Sequence, residues 1–299
     1  MRTLLLLALG ALVACAGPTS TVTGPEAELI GGDAAGEAYS AVGALRDESG
    51  GVFCTATLVA QRFVVTAQHC IEGGSEEMPE EHDPRKTTFA LGPDATSPVR
   101  AVTLKKWWRA PDFAHPESEE YASDVMLGEL TEAITDVTPI PIDPAVLDAT
   151  RLDDRFELVG FGVRTEDGLG PAESKREVGA MTLVATEGNA FEKQYGSRAA
   201  FDEALARLDP DGAADGLGDR FWPRVDLHAG YEVLAYGEKA ESCYSDSGGP
   251  LLRIDGGKRT VVGVVSQGFN GYASSCLHLG TVFAVFGPET KAFLATKLR

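Results

Sequence analysis

The chain has 299 residues, 43% of them hydrophobic, which is enough apolar material for one large or two small domains with real cores and excludes a chain disordered throughout. Lys and Arg number 26 against 45 Asp and Glu, a formal charge of −19, so nucleic acid and anionic lipid headgroups are repelled while cationic peptides are attracted.

The first residues, MRTLLLLALGALVAC, place one Arg before an apolar run that ends at Cys15. The run is too short to span a bilayer comfortably and reads as an export signal. Its ending, Leu12-Val13-Ala14-Cys15, resembles a bacterial lipobox, in which residues 1–14 are removed as signal peptide and the cysteine carries lipid. The alternative is a plain secretory signal with an incidental Cys15. Both readings take the mature chain out of the cytoplasm, and the lipobox reading places it in the cell envelope as a membrane-anchored lipoprotein. Residues 15–28 follow as a flexible tether, since 16–28 (AGPTSTVTGPEAE) are rich in Gly, Pro, Ser and Thr and lack aliphatic periodicity.

From Leu29 the pattern changes. Short β-rich runs occupy 52–59, 62–66, 99–104, 156–163, 178–184 and 260–266, each bounded by Gly, Pro or acidic turns. That spacing predicts an all-β sandwich or barrel rather than alternating βα units. Two segments predict helix: 198–208, with Phe201, Leu205 and Leu208 on one face after a capping Ser197, and 288–298. The acidic segments 76–83 and 209–219 read as solvated insertions between strands, and neither follows the EF-hand spacing.

With Cys15 assigned to lipid, Cys54, Cys70, Cys243 and Cys276 remain, and an even number in an oxidising compartment predicts two disulfides. Of the three connectivities open to four cysteines, spacing favours the local ones, Cys54 with Cys70 and Cys243 with Cys276. No Cys-x-x-Cys or paired His spacing appears, so no metal and no cofactor is expected.

Residues 241–250, ESCYSDSGGP, set Ser247 between an aspartate and two glycines. Such a cluster is turn-forming chemistry in its own right, and a nucleophilic serine needs in addition a base, a group that orients the base, and donors for an oxyanion. Residues 64–70, VVTAQHC, bring His69 off a β run directly before a cysteine, and residues 123–127, SDVML, open an apolar strand with Asp124. Taken alone, the histidine reads as structural and the aspartate as a strand-end cap.

Together, TAQHC, DVML and SDSGGP in this order resemble the trypsin-like, chymotrypsin-fold serine proteases. LIGGDAA from Leu29 is similar to that family's mature start, and Ser266-Gln267-Gly268 to its substrate strand, so the likeness covers 29–299. It implies two six-stranded antiparallel Greek-key β-barrels, about 29–149 and 150–299, with the active site between them and a C-terminal helix. It also implies a serine endopeptidase acting on protein or peptide substrates through an acyl-enzyme. Ser247 is then the nucleophile, His69 the base and acid, and Asp124 the group that orients the imidazole, with an oxyanion hole formed by the N–H groups of Ser245 and Ser247. Glu241, Ser266 and Gly268 would bind substrate. Glu241, two residues before Cys243, stands where trypsin has the aspartate that selects Arg or Lys, and being one methylene longer it implies a shallower acidic pocket. Leu29, freed by a cut after Glu28, would pair its ammonium with Asp246. Residues 16–28 hold no Lys or Arg, so that cut would fall to another protease and would release the domain from its anchor; the alternative is an uncut chain that orders its pocket by other contacts and leaves Asp246 a different partner.

Three positions depart from the family pattern. Ser245 replaces a glycine, Gln68 an alanine and Gln267 a tryptophan, which implies slower turnover and altered subsites. Two other functions compete with the endopeptidase: a catalytically weak or inactive protease-fold binding lipoprotein, and an esterase using the same triad on small acyl compounds.

Overall fold

The structure, a computed structural model, describes residues 32–72, 82–111, 123–143, 147–163, 175–208, 216–268, 276 and 279–298. The export signal, Cys15, the tether, Leu29 and most of both acidic segments lie outside the described residues. Among the described residues no helix is long and apolar enough to cross a membrane.

Strand β1 (Asp33–Ala34) precedes a closed six-stranded barrel of β2 (Val42–Arg46), β3 (Val52–Ala60), β4 (Phe63–Thr66), β5 (Thr88–Leu91), β6 (Arg100–Arg109) and β7 (Met126–Leu130). Its order is β2-β3-β4-β7-β6-β5, closed by β5 on β2, so β4 and β7 are neighbours although far apart in the chain. Alternation explains the sidedness: on β6, Val102 and Leu104 are buried while Ala101 and Lys105 face water, up to a register shift after Leu104. Leu45, Leu58, Phe89 and Leu104 fill the interior.

The second barrel is built from β8 (Arg155–Gly160), β9 (Glu177–Ala185), β12 (Glu232–Tyr236), β13 (Pro250–Asp255), β14 (Lys258–Gly268) and β15 (Thr281–Val285). Its order is β9-β12-β15-β14-β13-β8, closed by β8 on β9. Its core holds Phe156, Leu158, Met181 and Phe283. Full closure of both sheets leaves few open strand edges.

Between β9 and β12 the chain makes a small helical layer: β10 (Gly188–Asn189), α1 (Ala190–Tyr195), α2 (Arg198–Leu208), α3 (Leu217–Phe221) and β11 (Asp226–Leu227), with β10 paired to β11. The Asn189 side chain caps α1 by accepting from Glu192 N at 3.0 Å, and Ser197 caps α2 by accepting from Ala200 N at 3.3 Å. Phe191 stacks on Phe201 with centroids 4.2 Å apart, and Trp222 lies 5.7 Å from Phe201. Of this layer the sequence showed only α2.

The two ends of the described chain cross between barrels. Strand β1 pairs with β9, Asp33 opposite Val178, and so belongs to the second barrel's sheet. Helix α4 (Pro288–Lys297) follows β15 but buries Leu294 in an apolar cluster made mostly of first-barrel residues, with Val159, Leu252 and Val264 of the second.

Candidate active site

The pairing of β4 with β7 sets Thr66 opposite Met126. His69 lies three residues beyond the end of β4 and Asp124 two residues before the start of β7, so one register delivers both to the same rim. The disulfide Cys54–Cys70 ties the residue after His69 to β3.

Asp124 is 2% exposed. Its Oδ1 accepts from His69 N at 2.9 Å, and its Oδ2 faces His69 Nδ1 at 2.8 Å and accepts from Ser266 Oγ at 2.6 Å. A carboxylate facing Nδ1 fixes the proton there and leaves Nε2 of the neutral ring as the acceptor. Burial works against the imidazolium, but the charge and hydrogen bond of Asp124 outweigh it and raise the His69 pKa. Burial likewise disfavours the Asp124 carboxylate, yet His69, Ser266 and the His69 amide together hold its pKa below the usual value.

Ser247 sits in a turn fixed on every side. Gly248 N donates to Val265 O at 2.9 Å, Gly249 N to Asp246 O at 2.8 Å, and Ser247 O accepts from Thr55 N at 2.8 Å. Gly248 has φ +78°, and a Cβ there would run into Thr66 Oγ1 and the Thr55 carbonyl, so no other residue fits this turn. Ser245, where the sequence departs from glycine, holds φ +73°, a left-handed angle that costs a non-glycine residue about 1–2 kcal/mol. Its Oγ reaches Val52 O at 3.4 Å. Tyr244 O accepts from Val163 N at 2.8 Å, and because the peptide is trans, the Ser245 N–H points the opposite way.

Asp246 is fully buried, its carboxylate held by Gly162 N on Oδ1 at 2.8 Å and Cys243 N on Oδ2 at 2.9 Å. Gly160 and Gly162 make room for it, since a Cβ on either would overlap its oxygens. Burial pushes its pKa up to about 7 against those two amide bonds. Leu29, the expected partner, lies outside the described residues.

Glu241 is 1% exposed. Its Oε1 accepts from Gly237 N at 3.1 Å and its Oε2 from Thr281 Oγ1 at 3.2 Å, while Thr281 Oγ1 also meets Ser242 Oγ at 2.8 Å. Burial drives its pKa up to about 8, opposed by the Gly237 and Thr281 hydrogen bonds. On the sheet Thr281 stands opposite Gly268, so Glu241 lies beneath the end of the expected substrate strand. Cys243–Cys276 closes this wall, which leaves both expected local pairings formed.

Gln68 is 2% exposed and donates to Glu72 Oε2 at 2.8 Å, so it is an interior strut rather than a face offered to substrate. Gln267 is exposed on β14 between Ser266 and Gly268. Cys54, His69 and Cys70 cluster closely enough to suit a metal, but the sulfurs are bonded to each other and Nδ1 faces Asp124, so the group offers no thiolate. Sequence reasoning passed over Thr55, Thr281 and the Gly160-Phe161-Gly162 segment. The signal for the last was present: a buried carboxylate beside Ser247 requires amides and space to receive it.

A family model described as Trypsin matches residues 29–283. Trypsin-1 of Astacus astacus is 23% identical over 220 residues, covering 73% of this chain and 77% of that protein. Among solved structures, neuropsin, a serine protease expressed in the limbic system of mouse brain, aligns with a TM-score of 0.58 and 17% identity, over 89% of this chain and 98% of that one.

Proposed function

The chain belongs to the trypsin family of serine proteases, and from that premise we propose that it is an endopeptidase using Ser247, His69 and Asp124, with a preference for cleavage after Arg or Lys. The observation that carries this reading is the His69 ring bonded through Nδ1 to a buried, ionised Asp124 at 2.8 Å. Such a ring carries its proton on Nδ1, which makes Nε2 the basic nitrogen.

In this mechanism Ser247 Oγ attacks the scissile carbonyl carbon while its proton passes to His69 Nε2. The resulting oxyanion takes hydrogen bonds from the N–H groups of Ser245 and Ser247, each such donor being worth about 3 kcal/mol in related sites. Collapse breaks the C–N bond, and the leaving amine carries away the His69 proton. Water then attacks the acyl-enzyme, losing its proton to His69, which returns it to Ser247 as the acid product departs. Asp124 stays ionised throughout and stabilises the imidazolium. Glu241, once ionised above its raised pKa of about 8, supplies the negative charge for a cationic side chain at the cleavage site, and Ser266 and Gly268 line the substrate strand. Lipid on Cys15 would hold the domain in the cell envelope, and a cut before Leu29 would release it.

A fluorophosphonate probe tests the reading on the exported protein. Labelling should be stoichiometric in the parent and absent in Ser247→Ala, with peptide cleavage lost in parallel by at least about 10³-fold. A parent that takes no label and cleaves no peptide would favour the binding-lipoprotein reading, which draws its support from the left-handed Ser245.

A further inference from the structure

We propose that Thr55 is a positioning residue for the reaction, and that its hydroxyl fastens the oxyanion loop to the first barrel. The proposal rests on the endopeptidase reading, because it gives the Ser245 N–H a role. Thr55 lies on β3, fully buried, and all three of its polar groups are used. Its N donates to Ser247 O at 2.8 Å, its O accepts from Thr66 Oγ1 at 2.8 Å, and its Oγ1 donates to Ser245 O at 2.9 Å. The same Oγ1 accepts from Phe161 N at 3.2 Å. The polarity is unambiguous, since a carbonyl only accepts and an amide only donates.

One hydroxyl from the first barrel thus joins two segments of the second, the loop that carries Ser245 and the end of β8 that runs into the Asp246 cradle. Thr57, two residues along the same strand and equally buried, has a hydroxyl with no hydrogen-bond partner among the described residues. A buried threonine on β3 therefore does not in itself imply a hydrogen bond, and the bond at Thr55 is specific to its place.

The bond matters because of the backbone at Ser245. Its φ of +73° is unfavourable for a residue with a side chain, so the loop gains by turning to a negative φ. Turning the 244–245 peptide would re-aim the Ser245 N–H away from the oxyanion. Two carbonyl anchors oppose this: Tyr244 O on Val163 N at 2.8 Å, before Ser245, and Ser245 O on Thr55 Oγ1 at 2.9 Å, after it. Loss of the second anchor leaves the strained residue held by the Tyr244 anchor and by the turn bond from Asp246 N to Cys243 O at 3.1 Å, with its own carbonyl no longer tied to the first barrel. The weak Ser245 Oγ contact to Val52 O, at 3.4 Å, adds a further tie to β3 but sits at the limit of a hydrogen bond. Ground-state substrate binding does not depend on the oxyanion donors, so the deficit should appear in the chemical step.

The experiment compares the parent full chain with Thr55→Val, Thr55→Ser and Thr57→Val, each with active sites counted by the serine probe. The readouts are kcat, KM and the inhibition constant of a peptide boronic acid, whose adduct on Ser247 is tetrahedral. Thr55→Val should lower kcat about tenfold, weaken the boronic acid by a similar factor and leave KM within about twofold. Thr55→Ser, which keeps the hydroxyl, should restore both, and Thr57→Val should match the parent. If Thr55→Val does not fold, Thr55→Ala read against Thr55→Ser gives the same comparison. An active parent whose Thr55→Val variant keeps its kcat and boronic acid affinity, or shifts KM alone, overturns this proposal and leaves the endopeptidase reading intact. A parent in which Ser247 forms no adduct overturns both.

Discussion

Glu241 has each carboxyl oxygen occupied by the protein itself, Gly237 N on one and Thr281 Oγ1 on the other. Tyr195 and Tyr236 lie close enough to its charge to have their own pKa values raised, after burial as the larger cause. Among the described residues no cation reaches Glu241, and its pKa is pushed up to about 8. Below that value the carboxyl is neutral and offers a cationic side chain only hydrogen bonds; above it the carboxylate offers full charge. The ratio of cleavage after Arg to cleavage after Leu should therefore climb about tenfold between pH 7 and 9, with Arg itself charged throughout. Glu241→Gln should lower that ratio and flatten its pH dependence. A parent ratio that is flat over this range, or that favours Leu at pH 9, would rule out Glu241 as the selecting charge.

At the scale of elements, β3, β4, β6, β8, β9 and β14 were legible because β-rich apolar runs report burial directly, while β2, β5, β12, β13 and β15 were not singled out and the two-barrel order came only from the family resemblance; the motifs TAQHC, DVML and SDSGGP marked His69, Asp124 and Ser247 as the candidates. The helical layer between β9 and β12 was less visible. Helix α1 has only six residues and α3 five, too short for a 3.6-residue period to emerge. Thr55 and Thr281 were not legible for a different reason: their roles exist only through partners distant in the chain, 190 residues away for Thr55 and Ser245, and 40 for Thr281 and Glu241. What holds the helical layer together is aromatic. Phe201 is fully buried between Phe191 and Trp222, and its removal empties the centre of that cluster. Phe201→Ala should cost about 3–5 kcal/mol in denaturant unfolding. Because Tyr195 of α1 packs against Phe201 at 5.4 Å and senses Glu241, the same variant should raise KM more than it lowers kcat. An unfolding free energy within about 1 kcal/mol of the parent would mean that the layer is not packed as described.

For the molecule as a whole, β1, which precedes the first barrel, joins the sheet of the second, and α4, which follows the second barrel, packs back toward the first, so each barrel is clasped by an element that lies beyond the other in the chain. Ser123 on the Asp124 loop meets Thr290 of α4 at 3.3 Å, which carries this clasp to the active-site rim. On the proposed pairing of Leu29 with Asp246, a cut before Leu29 would act on this arrangement through the buried carboxylate. In the uncut chain its folded pKa is about 7 against 3.8 for an ordinary aspartate, so between those values the folded state binds the extra proton. Stability must then fall as pH rises through that window, by on the order of 4 kcal/mol in total, and stay low above pH 7. An ammonium freed at Leu29 and seated against Asp246 would return the aspartate to its ionised form, pull its pKa below the unfolded value and reverse the slope, so that stability is gained above about pH 4 and kept at neutrality. The comparison is between the full chain and a chain beginning at Leu29, both carrying Glu241→Gln so that the second raised carboxyl does not contribute. Urea titrations from pH 4 to 8 should show stability falling with pH in the uncut form and level or rising in the cut form. If both forms fall with the same slope, the new amine does not reach Asp246, and activation by cleavage before Leu29 is excluded. The bonds from Thr55 and Val163 would then remain as what orders the oxyanion loop in the uncut chain.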